Sequence, residues 1–238
     1  MAGTAVSATD HRRDMIECET PMTESERLFE EFCARLGIRL ERIETRDKRR
    51  PDYRIWPSNA EVVCEVKQIE ANAKERRALS AAVRGEYIAT GGIPGSRVRS
   101  KITDASPQLR NLAKGRCPAL LVLSAESFLR RHLDEYQVRV AMYGLDTIIM
   151  AVPRNAAVRA YVKDRKSGPK RKMNTEHNTT ISAILELRRH GDRTIFCTVY
   201  HNRFAAIPLP QKLLDADHVR HLRLRKKAAG EFDEWEEM

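Results

Sequence analysis

Apolar residues recur along the chain with two different periods, and these periods predict which segments are helices and which are strands. Between residues 23 and 37 they lie three or four positions apart, which is the spacing of one helix face. Thr23 and Glu26 have the spacing of a capping box, so a helix is predicted to begin at Thr23, and Gly37 favours its end. The first element is therefore predicted to be a helix with one apolar side.

The segments that follow alternate apolar and polar side chains, which is the pattern of half-buried strands. Strands are predicted over residues 38–44 and near 52–56 and 61–69. Residues 72–86 are then predicted to form a basic helix, and the glycines of 90–97 indicate a loop. The first third of the chain thus has the predicted order helix, three strands, helix.

Two all-apolar runs, 118–124 and 146–152, are typical of strands buried on both faces of a sheet. Helices are predicted near 100–115 and 126–133. The remaining predicted elements are an exposed loop in the second half of 154–172, strands near 178–187 and 193–200, and a basic helix over 210–227.

This order of elements predicts an α/β fold with a mixed central sheet flanked by helices. Residues 21–228 are predicted to form a single domain. They follow a polar, flexible arm over residues 1–20 and precede an acidic tail over residues 229–238.

The composition adds the expectation of a polyanionic partner. The 238 residues include 43 Lys or Arg against 33 Asp or Glu, a formal net charge of +10, and five of the acids fall in the last eight residues. Such a charge favours nucleic acid as a partner, although a basic surface without a partner explains it as well. Candidates for a phosphate-binding rim are the segments 154–172 and 220–227 with Arg97, Arg99 and Lys101.

Cysteine usage and the absence of long apolar runs bear on the compartment. The five cysteines are scattered, without a CxxC pair, which is typical of a reducing environment rather than a zinc knuckle. No apolar run approaches the ~20 residues of a membrane span, and residues 1–14 lack the apolar core of a signal peptide. We therefore expect a cytoplasmic protein without membrane contact.

The hairpin at residues 50–68 contains the most specific chemistry. If Ser58 and Asn59 are the central residues of its turn, Asp52 lies directly across the ladder from Glu65, and Lys67 shares their face. Two carboxylates opposite each other are destabilising unless a cation lies between them. Carboxylate oxygens are the ligands that Mg²⁺ prefers, so the register predicts a Mg²⁺ site next to a lysine.

These residues resemble a known signature. Pro51-Asp52, twelve intervening residues and Glu65-Val66-Lys67 are similar to the PD-(D/E)xK pattern of the restriction-endonuclease-like nucleases. The resemblance implies an α-β-β-β-α-β core and an endodeoxyribonuclease that hydrolyses phosphodiester bonds with Mg²⁺, for which Mn²⁺ can substitute. It also implies that Asp52, Glu65 and the Val66 carbonyl are metal ligands and that Lys67 is the catalytic lysine.

Many members of this superfamily carry a further glutamate on the first helix, and the resemblance extends over residues 23–125. Glu26, eleven residues before Gly37, is the residue that this feature implies for catalysis, and Glu30 one turn later is the alternative. A role for Glu26 in the capping box alone is equally open. Because many such proteins work as dimers, a homodimer is a further candidate assembly.

Several residues have weaker signals. Gln68 and Gln108 are candidates for contact with phosphate or water, with simple solvation as the alternative. His218 and His221 lie three apart on the predicted basic helix, where phosphate contact or solvation is expected, and His201 is expected to follow a strand in a turn.

Two other interpretations of the hairpin stay open. Its acids and lysine can simply face water, or the chain can be a catalytically inactive nuclease-fold module that binds nucleic acid or a protein partner. Convergence of Asp52, Glu65 and Lys67 in a cleft favours the enzyme, whereas exposure of Glu65 to bulk solvent favours the module. The charge itself suits DNA and RNA equally.

Overall fold

The computed structural model describes residues 22–43, 50–86, 91–155, 157–191, 194–226 and 231–238. The arm predicted over residues 1–20 lies outside these described residues, as does part of the loop predicted over 90–97. Within the described parts, no helix is long and apolar enough to cross a membrane.

The first half of the chain follows the predicted order of elements. Thr23 caps the first helix, and both hydrogen bonds of the capping box with Glu26 are present, which confirms this prediction. The elements are α1 (Glu24–Arg35), β1 (Arg39–Arg42), β2 (Tyr53–Trp56), a 3₁₀ turn (Pro57–Asn59), β3 (Val62–Ile69), α2 (Ala73–Val83), α3 (Ser96–Ala113) and β4 (Ala119–Ala125).

The second half is richer in strands than predicted. Its elements are a 3₁₀ turn (Ser127–His132), α4 (Glu135–Tyr143), β5 (Asp146–Ala151), β6 (Tyr161–Ser167), β7 (Ile181–His190), β8 (Thr194–His201), a 3₁₀ turn (Gln211–Leu214), β9 (Val219–Arg225) and β10 (Glu234–Glu237). The strands near 178–187 and 193–200 are thereby confirmed as β7 and β8.

Eight strands form one central sheet in the order β1-β2-β3-β4-β7-β8-β9-β10. The neighbours β3-β4, β4-β7 and β8-β9 are parallel, and the other pairs are antiparallel. The helix α1 packs on one face around Phe29 and Phe32, and α3 and α4 pack on the other around Ile102 and Val138. The prediction of an α/β fold with a mixed sheet flanked by helices is confirmed at this level.

Two predictions for residues 146–172 are wrong. The run 146–152 does form a strand, but β5 pairs only with β6 in a separate two-stranded sheet, and Ile148 and Met150 are 52% and 49% exposed. Residues 161–167, expected in a loop, supply that partner strand. An apolar run of strand length does not itself determine whether other elements cover it.

The predictions of helices over 126–133 and 210–227 also need correction. The first is a 3₁₀ turn, and the regular helix begins after the N-cap Asp134. The second contains β9, in which Leu222 and Leu224 are buried and Arg223 and Arg225 are exposed. This period of two is the pattern of a strand. The prediction of a helix relied on the basic composition of the segment and overlooked the alternation.

Candidate active site

The β2-β3 hairpin has the register expected from its turn. Tyr53 pairs with Cys64 and Arg54 with Val63, so continuing the ladder by one residue sets Asp52 opposite Glu65. The chain reverses through Ser58 and Asn59, whose φ angles of 48° and 65° lie in the left-handed region. Asparagine tolerates this region better than most residues, which suits it to such a turn.

Alternation along β3 separates its polar and apolar side chains. Val62, Cys64 and Val66 belong to the apolar cluster on the α1 side of the sheet, and Val63 and Ile69 belong to the cluster on the α3 side. Because successive side chains point to opposite faces, Glu65 and Lys67 are directed to the same side as Val63 and Ile69.

The three residues of the predicted site converge. The backbone N–H of Val66 donates a hydrogen bond to Asp52 Oδ2 at 2.8 Å, and Lys67 forms an ion pair with Glu65. Glu65 is completely buried, whereas the Lys67 side chain is 25% exposed and Asp52 is half-buried. In the described part of the chain, the Lys67 ammonium is the side-chain partner of Glu65, and the Asp52 backbone N–H is close enough to lower the Glu65 pKa, although neither carboxylate oxygen accepts a well-formed hydrogen bond.

Burial raises the pKa of both carboxyl groups. The pKa of Glu65 rises from 4.5 to about 7, mainly because burial disfavours its charged form and also because Asp52 is close, while Lys67 opposes the rise. Burial likewise raises the pKa of Asp52, against the hydrogen bond from Val66 and the charge of Lys67. Two adjacent carboxyl groups that resist ionisation are an environment that a cation would stabilise.

The residues present fit a hard divalent cation. Beyond the contact with Lys67, the buried oxygens of Glu65 accept no well-formed hydrogen bond among the described residues, which leaves them acceptor capacity for a cation. In an extended strand the N–H and C=O of one residue point to the same side, so the Val66 carbonyl points toward Asp52 as its N–H does. Among the described residues, no group of three or more His, Cys, Asp or Glu is arranged around one position.

The two candidate glutamates of α1, Glu26 and Glu30, are engaged in other contacts. Glu26 accepts hydrogen bonds from the Thr23 N–H at 2.6 Å and from Arg42 at 3.3 Å, so its role in the capping box is real. Its charge nevertheless lies close enough to raise the pKa of Asp52. Glu30 accepts a hydrogen bond from the Tyr53 hydroxyl at 2.9 Å.

A polar cluster that the sequence analysis did not identify lies on the α1 side of the sheet. Ser25 donates a hydrogen bond to the side-chain oxygen of Gln68 at 3.1 Å, and its hydroxyl lies 2.6 Å from that of Ser124. Gln68 is therefore held by α1 rather than solvated. The only sequence signal for this contact is its position directly after Lys67. Gln108 lies in the last third of α3.

The histidines are not arranged as predicted. His221 is buried on β9, and its Nδ1 lies 2.9 Å from Nε2 of His201. Burial, together with the nearby His221, lowers the pKa of His201 to about 4. His218 precedes β9 and packs edge-on against Phe196. The expected helical pair of His218 and His221 at the surface is therefore wrong, because this segment is extended.

Much of the predicted phosphate-binding rim is engaged within the protein. Arg97 pairs with Glu75, and Arg99 is buried, where it donates hydrogen bonds to backbone carbonyls. On β9, Arg223 pairs with Glu236 of the neighbouring β10 at 3.0 Å. The acidic tail predicted over 229–238 thus contributes a strand whose carboxylates neutralise the basic segment beside it.

The geometry combines two pKa-shifted carboxyl groups, a lysine and a backbone carbonyl at one point beside the end of the β2-β3 ladder. Such a group can hold a divalent cation and place an ammonium next to it. Comparison with protein-family models, curated proteins and solved structures gives no match to this chain.

Proposed function

We propose that the protein is a metal-dependent nuclease of the PD-(D/E)xK type, which hydrolyses phosphodiester bonds in DNA. The observation that carries this proposal is Glu65, a completely buried carboxylate adjacent to a second carboxylate, whose oxygens accept no well-formed hydrogen bond among the described residues beyond the contact with the Lys67 ammonium. Burying such a group is costly, and a bound cation would offset the cost.

The order of elements supports the finer assignment to a restriction-endonuclease-like core. An α-β-β-β-α-β core is expected to contain a helix, a three-stranded antiparallel unit and a fourth strand parallel to the third. The elements α1, β1-β2-β3 and β4 have this arrangement, with β3 and β4 parallel. The chain differs in having two helices, α2 and α3, between β3 and β4.

Each residue of the site has a chemical role in this proposal. Asp52, Glu65 and the Val66 carbonyl would hold Mg²⁺, which when bound supplies Lewis-acid activation of a water molecule and of the phosphate. The Lys67 ammonium balances the charge of Glu65 and, being partly exposed, is placed to stabilise negative charge on a phosphate group. The Val66 N–H fixes one oxygen of Asp52. Glu26 supports the site through its charge.

The test is cleavage of plasmid and linear duplex DNA in Mg²⁺ or Mn²⁺ by the wild type, Asp52→Asn and Lys67→Ala. We expect each substitution to reduce cleavage by at least about 100-fold, the typical loss of one transition-state contact. Asp104→Asn and Lys74→Ala, at exposed positions on α3 and α2, are matched controls that should retain full activity. Equal cleavage by all five proteins would refute the assignment.

Thermal unfolding supplies a second readout that does not depend on turnover. Mg²⁺ at ten times its dissociation constant should stabilise the wild type by about 1.4 kcal/mol. This stabilisation corresponds to a rise of a few degrees in the unfolding temperature. The same addition should leave Glu65→Gln unshifted, because the amide is a weaker ligand for a hard cation. An equal shift in both proteins would place the cation elsewhere.

A second candidate is a nuclease-fold module that binds nucleic acid without cleaving it. The observation that favours it is the Lys67-Glu65 ion pair, which compensates part of the buried charge without a cation. This candidate predicts binding of DNA or RNA in EDTA, no cleavage of either in Mg²⁺ or Mn²⁺, and no thermal shift with these ions.

A further inference from the structure

A cavity of about 500 Å³ lies between the C-terminal half of α3 and the segment 168–178, which joins β6 to β7. Its lining includes four cations, Arg110 on α3 and Lys170, Arg171 and Lys172 on the facing segment. No Asp or Glu is among the described residues that line it. The cavity is therefore a concave, strongly positive surface.

The four cations of the cavity lack acidic partners, unlike many other arginines of the protein. Among the described residues, none of the four forms an ion pair, whereas Arg97 pairs with Glu75. Arg139, Arg203 and Arg223 are paired in the same way. Like charges that surround one concavity repel one another, and an anion within it would reverse the sign of that interaction.

The segment 168–178 is held firmly against the domain. Met173 is completely buried, and its N–H donates to the carbonyl of Met142 at 2.8 Å. Asn178 donates to the carbonyl of Lys172 at 2.6 Å and accepts from the Ser106 hydroxyl of α3 at 2.6 Å. These contacts tie both walls of the cavity together, so the backbone that carries the cations is in place before any ligand arrives.

The chemistry of the lining favours backbone phosphate over a free nucleotide. The lining also includes Asn174, whose amide nitrogen carries donors, and amide side chains commonly contact phosphate oxygens. The lining described here includes no Phe, Tyr or Trp on which a base could stack. We propose that the cavity binds phosphate groups of the nucleic-acid backbone, which rests on the substrate class of the proposed nuclease.

The cavity is separate from the carboxylate site. Asn178 lies just before Ile181, which pairs with Ala119 at the start of β4, whereas Lys67 pairs with Leu123 near its end. Four residues of strand correspond to roughly 13 Å along the strand direction. A phosphate contact at this distance would add affinity and fix the position of the nucleic acid, without touching the bond that is cleaved.

The test measures binding rather than cleavage, by fluorescence anisotropy of a labelled duplex in EDTA across about 50 to 200 mM salt. The cavity variant combines Arg110→Gln and Arg171→Gln, two exposed residues on opposite walls. The matched control combines Arg223→Gln and Arg225→Gln, which remove the same charge at two guanidinium groups that already pair with Glu236. We expect the cavity variant to bind about 10-fold more weakly and to reduce the salt slope by about two, with a much smaller change in the control.

Equal weakening by both double variants would show that only net charge matters and would overturn the proposal, as would unchanged binding by the cavity variant. A second arm uses inorganic pyrophosphate alone. Tight pyrophosphate binding that the cavity substitutions abolish, with duplex binding unaffected, would assign the cavity to a small phosphate ligand and overturn the nucleic-acid assignment. Matched unfolding temperatures establish that the variants fold.

This experiment separates the inference from the proposed function. If the wild type does not cleave DNA in Mg²⁺ but the two double variants still differ in EDTA, the nuclease fails and the phosphate site stands. If the wild type cleaves and the double variants bind alike, the phosphate site fails and the nuclease stands.

Discussion

Two glutamates, Glu65 and Glu186, are buried on the same side of the central sheet and differ in how their charge is compensated. Glu186 lies across β4 from the position of Lys67, since both residues pair with Leu123. It forms an ion pair with Arg188 and accepts a hydrogen bond from the Tyr200 hydroxyl at 2.7 Å. Glu65 pairs with the Lys67 ammonium, and among the described residues neither of its oxygens accepts a further well-formed hydrogen bond.

The comparison separates a structural carboxylate from a candidate ligand. Burial raises the pKa of both groups, but each oxygen of Glu186 has a donor of its own, Arg188 at one and Tyr200 at the other. A buried carboxylate without such donors lowers the stability of the fold. The stability that is lost by burying Glu65 is the reason for proposing it as a cation ligand. At Glu186, by contrast, the hydrogen bonds within the protein compensate the buried charge.

The largest expected difference between the two glutamates is in cleavage. Glu65→Gln should reduce DNA cleavage by at least about 100-fold, because it removes a charged metal ligand. Glu186→Gln should leave the rate within a few-fold, because the amide retains a hydrogen bond to Tyr200. Rates under single-turnover conditions in Mg²⁺ measure both, and a comparable loss in both variants would remove the distinction between the sites.

The second expected difference is in the pH dependence of stability without divalent cations. Below pH 4.5 the Glu65 carboxyl is protonated in both states, and between 4.5 and about 7 the unfolded chain loses the proton first. The free energy of unfolding should therefore fall as pH rises through this window and then level off. Between pH 4.5 and about 7, the free energy of unfolding of the wild type should fall by on the order of 3 kcal/mol relative to that of Glu65→Gln.

Urea unfolding in EDTA between about pH 4 and pH 8 measures this difference. Subtracting the curve of Glu65→Gln from that of the wild type removes the contributions of the titrating groups that do not interact with Glu65 and leaves those of Glu65 and its neighbours Asp52 and Lys67. Parallel curves for the two proteins would mean that Glu65 ionises normally in the folded state. In that case the burial of Glu65 would not support its proposed role as a cation ligand.

The smallest expected effect concerns the compensated glutamate. Glu186→Leu should destabilise the fold by about 2 kcal/mol, because the buried Tyr200 hydroxyl then loses its acceptor. Adding Tyr200→Phe should recover part of that loss, since both polar partners are then replaced. Denaturant unfolding of the single and double variants gives the coupling energy, and strictly additive effects would argue against a shared network.

Local patterns in the sequence were sufficient for the hairpin and the first helix. The turn at Ser58 and Asn59 fixes which residues face each other, and the observed pair Tyr53-Cys64 has the register that this turn predicts. The Thr23-Glu26 capping box is likewise a signal confined to four residues. Asp52, Glu65 and Lys67 come together because all three belong to this one local unit.

Features that depend on distant segments could not be predicted in the same way. The segment 219–225 alternates in the manner of a strand, but its parallel pairing with β8 joins residues 22 positions apart, such as Cys197 and Val219, and no local turn specifies that register. The hydrogen bond between Ser25 and Gln68 likewise joins two elements whose packing the sequence does not specify. The cavity beside Arg110 depends on how segment 168–178 returns to α3.

The composition of β10 has a consequence for how copies of this protein can meet. The strand is the last in the sheet, and three of its four residues are glutamates. An antiparallel pair of such strands from two molecules would set carboxylates against carboxylates, which disfavours continuation of the sheet across that boundary. A homodimer would therefore have to form through a different part of the molecule.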